Sequence, residues 1–148
     1  FRVIAVDVAD DKLALARELG AERVYNAANL DVAEAIQGEI RGANGVLVTA
    51  VSRSAFAQGV AMLHKRGTMS LVGLPPGDFA LPIFDVVLNA KTIRGSIVGT
   101  RADMIEALSF AGRGLVHSHF STDRLENINN VFERLRAGTI DGRVVMQF

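Results

Sequence analysis

The first carboxylate of this chain, Asp7, closes the apolar run Val3-Ile4-Ala5-Val6, and that placement can do chemistry. An acid at the carboxyl end of a buried parallel strand, with a helix starting at once behind it, can accept from both hydroxyls of a ribose. It also repels a phosphate at the 2′ position. A glycine-rich phosphate turn belongs roughly 20 residues before such an acid. That distance reaches back past Phe1, so the chain is expected to open on the second strand of a dinucleotide-binding sheet. A helix cap or a plain surface acid is the other reading of Asp7, because no glycine fingerprint stands beside it.

The remaining groups with chemical potential are fewer. His117 and His119 lie two apart and would share one face of a strand, but no Asp, Glu or Cys is placed to complete a tetrahedral metal site. They read as a polar loop, and no metal is assigned to this chain. His64, beside Lys65 and Arg66, fits the negative end of a helix. Asp103 and Glu106 are three apart on a helical pattern and read as a solvated face. Arg53, in the turn Ser52-Arg53-Ser54, can stack on a planar ring or remain solvated.

The elements that must position these groups alternate along the whole chain. Asp10 is placed as an N-cap, with Leu13, Ala16 and Gly20 on one helical face. A short strand near residues 22–25 precedes a helix over about 31–41, where Val32, Ile36 and Ile40 recur at four-residue spacing. Residues 46–49 form an apolar strand, and Phe56, Val60 and Leu63 carry a helix that runs until Gly67. Residues 69–73 are a further buried strand ending in the turn Leu74-Pro75-Pro76-Gly77, whose prolines forbid continuation. A helical turn over 85–88, a strand over 92–98, a helix after Thr100 with Ile105, Leu108 and Gly112 on one face, a last helix with Leu125, Ile128, Phe132 and Leu135 before Gly138, and a closing strand over 142–146 complete the pattern. Short connections of this kind imply an α/β fold, a Rossmann-like doubly wound parallel sheet with right-handed crossovers. Ligands in such sheets bind outside the strands' carboxyl ends. Asp7, residues 49–52, residues 73–76 and residues 98–101 are therefore expected to converge.

Composition narrows the partners. Sixteen basic and sixteen acidic residues cancel, without a block of either sign, which argues against nucleic-acid and anionic-membrane surfaces. No run approaches the ~20 apolar residues of a membrane span. The absence of cysteine fits a reducing compartment and leaves no thiolate for zinc. A cytosolic protein with small-molecule or protein partners is expected, and 148 residues suffice for one core.

Val6-Asp7-Val8, Val72-Gly73-Leu74-Pro75-Pro76, the segment from Gly95 to Arg101 (Gly-Ser-Ile-Val-Gly-Thr-Arg) and Gly142-Arg143-Val144-Val145 occur in that order. Together they resemble the zinc-dependent medium-chain alcohol dehydrogenases, in particular the tetrameric bacterial and yeast ethanol-type branch, over essentially the whole chain. The resemblance implies a partial NAD-binding (Rossmann) domain over residues 1–148, with the zinc-binding catalytic domain, the first strand and the glycine turn outside these residues. It implies an oxidoreductase that passes hydride from a primary or secondary alcohol to NAD, and a homo-oligomer, dimer or tetramer. This chain alone is expected to orient the cofactor without turning over alcohol.

The resemblance further implies that Asp7 binds the adenosine ribose, that Lys12 reaches the same sugar, and that Val8 and Val51 sandwich the adenine. Main-chain groups at Val72, Gly73, Ser96 and Val98 would hold the nicotinamide, and Arg143 would reach the pyrophosphate, with Arg101 a second basic candidate. Each has a plain alternative: Lys12 as a solvated helical lysine, the valines as core, Arg143 as an exposed strand residue. Two other functions stay open, a zinc-free quinone or enoyl reductase of the same superfamily, against which Asp7 counts, and a non-catalytic assembly fragment.

Overall fold

The computed structural model describes residues 1–148. Contacts divide the chain into two compact units, Phe1–Val98 and Gly99–Phe148.

The first unit runs β1 (Ile4–Asp7), α1 (Asp10–Glu18), β2 (Arg23–Asn26), α2 (Val32–Ile40), β3 (Ala43–Val48), α3 (Arg53–Met62), β4 (Leu63–Leu71), α4 (Ile83–Leu88) and β5 (Thr92–Gly95). All strand pairs are parallel, as βαβ connections require, but the strands form two separate ladders, β1-β2 and β3-β4-β5. The expectation of a single core also gives way to two clusters. Val32, Ile36 and Met62 pack with Ile4, Val6 and Tyr25, so α2 covers the β1-β2 ladder. Val48, Phe56, Val60, Leu63 and Met69 place α3 on the other ladder. There the Phe56 and Phe79 rings meet edge to face at 5.5 Å between centroids, pinning the loop after β4 to α3.

Several boundaries differ from those read in the sequence. Ala9 is the N-cap of α1 and makes no side-chain cap bond, while Asp10 is the first helical residue. Helix α3 stops at Met62, not at Gly67, because the Gln37 amide donates to the orphan carbonyls of Ala61 (2.8 Å) and Leu63 (3.0 Å) and lets β4 begin there. Gly67 marks close approach instead: a Cβ on it would stand 2.9 Å from the His64 carbonyl and 3.0 Å from that of Ala43. The strand expected to reach Val98 ends at Gly95, followed by one last bond from the Ser96 N–H to the Leu71 carbonyl (2.9 Å). Strand β3 is not buried on both faces, since Leu47 is 67% exposed. Helix α4 is held by Lys91, whose buried ammonium donates to the Asp85 carboxylate (2.7 Å) and the Val60 carbonyl (2.9 Å).

The second unit holds α5 (Arg101–Gly112), β6 (Phe120–Arg124), a 3-10 turn (Leu125–Asn127), α6 (Ile128–Arg136) and β7 (Arg143–Gln147), with β6 and β7 parallel. Strand β6 has no counterpart in the sequence reading, because its polar residues Ser121, Thr122, Asp123 and Arg124 lack the apolar alternation of a half-buried strand. Val131 on α6 is buried, while no residue of α5 is.

Candidate functional site

Asp7 lies at the carboxyl end of β1, exposed, where the chain turns into α1. Its Oδ1 accepts from the backbone N–H groups of Val8 (2.7 Å) and Ala9 (3.0 Å), which fixes the carboxylate on the turn. Its own carbonyl accepts from the Ala27 N–H at 2.9 Å, so the end of the β1-β2 ladder is closed. Val8 is 67% exposed and forms an apolar surface next to the acid. Lys12 stands in the first turn of α1, its ammonium 3.7 Å from the Asp11 carboxylate. An anchored acid, a flat apolar neighbour and a helix N-terminus form a set that can receive a polyhydroxylated ligand.

The ends of β3, β4 and β5 are drawn together by main-chain bonds. The Val48 carbonyl accepts from Val72 (3.0 Å) and Gly73 (2.9 Å), and the Leu71 carbonyl from Ser96. Gly73 is required sterically, because a Cβ there would run into the carbonyl oxygen of Ala50. Val51, 71% exposed, follows β3 directly. Val98 has φ +36°, a conformation costly for a β-branched residue and one met at binding sites and switch regions. Val51, Val72, Gly73 and Ser96 are thus brought to one end of one ladder, while Asp7, Val8 and Lys12 belong to the other. A cleft of about 550 Å³ lies between Ser52-Arg53-Ser54 and Asp78-Phe79-Ala80 and contains no part of the Asp7 turn. The Arg53 guanidinium crosses Gly77 at its rim. Arg101 and Arg143 belong to the second unit, where Arg143 opens β7 and bonds through its N–H to the His119 carbonyl (3.1 Å).

No three His, Cys, Asp or Glu side chains are grouped to hold a metal ion, and the chain has no cysteine. His119 lies against the backbone of Gly142, where a Cβ would meet its carbonyl and its ring. No helix is long and apolar enough to cross a membrane.

Two features, one in each unit, went unread in the sequence. Asn26, at the end of β2, joins the Asp7 turn through Asp10. Thr100 and Asp103 form a capping box at the start of α5, with Thr-x-x-Asp as its visible signal. Asp103 is therefore a cap as well as part of the exposed face it shares with Glu106.

The family model for zinc-binding dehydrogenases matches residues 1–113. The chain belongs to the zinc-binding dehydrogenase family. Among curated relatives it is 56% identical over 144 residues to an alcohol dehydrogenase of Rhizobium meliloti strain 1021, covering 97% of this chain and 42% of that protein. It is likewise 56% identical over 146 residues to an alcohol dehydrogenase of Moraxella sp. strain TAE123, covering 99% of this chain and 43% of the relative. The crystal structure of the alcohol dehydrogenase from the archaeon Aeropyrum pernix superposes with a TM-score of 0.91 at 31% identity, over 98% of this chain and 42% of that one. Benzyl alcohol dehydrogenase from Acinetobacter calcoaceticus gives 0.89 at 27%, over 97% and 42%. This member of the family therefore spans about two-fifths of the curated relatives it matches. The α/β class and the Rossmann-like relationship read from the sequence are the ones found.

Proposed function

We propose that residues 1–148 are the partial NAD-binding domain of a zinc-dependent alcohol dehydrogenase that oxidises primary or secondary alcohols to aldehydes or ketones. The observation that carries the reading is the Asp7 carboxylate, exposed at the end of β1 with only Oδ1 engaged by its own turn, in a chain 56% identical to a curated alcohol dehydrogenase. NAD, when bound, supplies a nicotinamide carbon that accepts hydride from the alcohol. Every step attributed to this chain is one of binding and orientation. Asp7 accepts from the ribose hydroxyls and repels a 2′-phosphate, and Lys12 supports the same sugar. Val8 and Val51 offer flat apolar walls to the adenine. Main-chain groups at Val72, Gly73, Ser96 and Val98 hold the carboxamide without rotamer cost. Arg143 is assigned to the pyrophosphate by resemblance alone, its planar fork suiting phosphate oxygens. Zinc, the alcohol pocket and the glycine turn are assigned to residues outside this chain, and the working protein is a cytosolic homo-oligomer.

The test is coenzyme choice in the full-length enzyme that carries this chain. Asp7→Ala is expected to shift the ratio of kcat/KM for NAD over NADP toward NADP by at least about tenfold, since ~1.4 kcal/mol is modest for a bidentate contact combined with phosphate repulsion. An unchanged ratio removes Asp7 from the ribose and the reading with it.

A further inference from the structure

We propose that Asn26 is a positioning residue for coenzyme choice, its amide fixing through Asp10 the turn that carries the Asp7 carboxylate. The inference rests on the coenzyme reading above and adds to it a residue that never touches the ribose.

Asn26 is the register partner of Asp7, the last pair of the β1-β2 ladder. Beyond that pair both strands leave the sheet, β1 through Val8 and Ala9 into α1, β2 through a turn over residues 26–29. The position of the Asp7 carboxylate depends on the Val8 and Ala9 N–H groups that hold Oδ1, and these move with the first turn of α1. That turn has a weak end of its own: Ala9, at the N-cap, has no side chain to bond the free N–H groups. What ties it down is the Asn26 Nδ2 donating to Asp10 Oδ1 at 2.7 Å. Asn26 is in turn fixed in orientation, because its Oδ1 accepts from the Ala28 N–H at 2.9 Å, which leaves only the amide nitrogen to face Asp10. The half-buried amide thus links the two turns. A donor–acceptor geometry that discriminates a hydroxyl from a phosphate is sensitive to displacements of about an ångström. Freeing α1's first turn relaxes that geometry while the strand pairing stays intact.

The experiment measures kcat and KM with NAD and with NADP in the full-length enzyme for Asn26→Ala, Asp10→Ala, the double variant and Asp7→Ala. Asn26→Ala is expected to raise KM for NAD and to lower the NAD over NADP ratio about three- to tenfold with kcat little changed, the range one hydrogen bond commands. The double variant is expected to lose no more than the worse single one in KM for NAD, since both remove the same bond. Asn26→Ser keeps an acceptor for the Ala28 N–H but cannot reach Asp10, so it serves if Asn26→Ala fails to fold. Equal losses with both coenzymes, or additive losses in the double variant, overturn the proposal. If Asp7→Ala shifts the ratio and neither Asn26 variant does, the proposal alone falls. If Asp7→Ala shifts nothing, the coenzyme reading falls and takes this inference with it.

Discussion

At the scale of single residues, what decides this chain's chemistry is where main-chain atoms come within contact distance. Gly73 is the sharpest case: its missing Cβ lets the end of β4 pass against the Ala50 carbonyl and keeps the two bonds to Val48 short. Gly73→Ala is expected to push the ends of β3 and β4 apart and to destabilise the fold by about 1–3 kcal/mol, the usual cost of overpacking. Urea unfolding of the variant against the parent measures it, and an unchanged midpoint would show that the ends have room. Asp7 was legible in the sequence because an acid ending an apolar strand is a local pattern. Asn26 was not, because its partner Asp10 is sixteen positions away and only the β1-β2 register brings them together. Gly67 was misread for the same reason: a glycine at a helix stop and a glycine at a backbone crossing look alike until the neighbouring strand is placed.

At the scale of elements, periodicity found nearly every helix and strand, and it failed where a polar or capped end set the boundary. Strand β6 is polar after Phe120 and pairs with β7 along five residues, a fact its own sequence cannot express. Helix α5 shows the converse. With no buried residue it depends on its ends, and its start is held by reciprocal bonds: Asp103 accepts from the Thr100 N–H (2.6 Å) and hydroxyl (2.7 Å), and Thr100 Oγ1 accepts from the Asp103 N–H (3.3 Å). The Thr100 backbone N–H above all, then its hydroxyl, holds the Asp103 carboxyl below the ordinary carboxylate range. A depressed folded-state pKa contributes stability that is complete above the unfolded value, near 3.8, and is lost as pH falls through the lower folded one. Helical signal from α5 is therefore expected to hold down to about pH 4 and to decline below it. Circular dichroism against pH checks this, with Asp103→Asn expected to remove that part of the acid limb. An identical acid limb in the variant would show that the box does not govern this helix.

At the scale of the whole molecule, ten apolar residues are buried and twenty-eight large apolar residues are exposed. In the first unit some of the exposed ones gather on α4 and just after β5. Ile83, Phe84, Val87 and Leu88 are each at least 68% exposed and fall on one face of α4, and Ile97 and Val98 follow β5 at 83% and 98%. Strand β5 bonds to β4 alone, so its other edge presents unpaired N–H and C=O groups guarded by one charge, Arg94. An apolar helix face and an open strand edge are surfaces that a second copy can cover, the edge by adding a strand across a two-fold axis. The isolated 148-residue chain is therefore expected to self-associate in solution, with light scattering reporting a dimer or larger, and Phe84→Asp together with Val87→Lys is expected to return it toward monomer. The outer edge of β1 is unpaired as well, since β1 bonds only to β2, so amide exchange at Val3 to Val6 is expected to be fast relative to Met69, on the central strand of the three-stranded ladder. A clean monomer, with Val3 to Val6 as protected as Met69, would mean that both edges are satisfied within one chain, and the argument from exposed edges would fail.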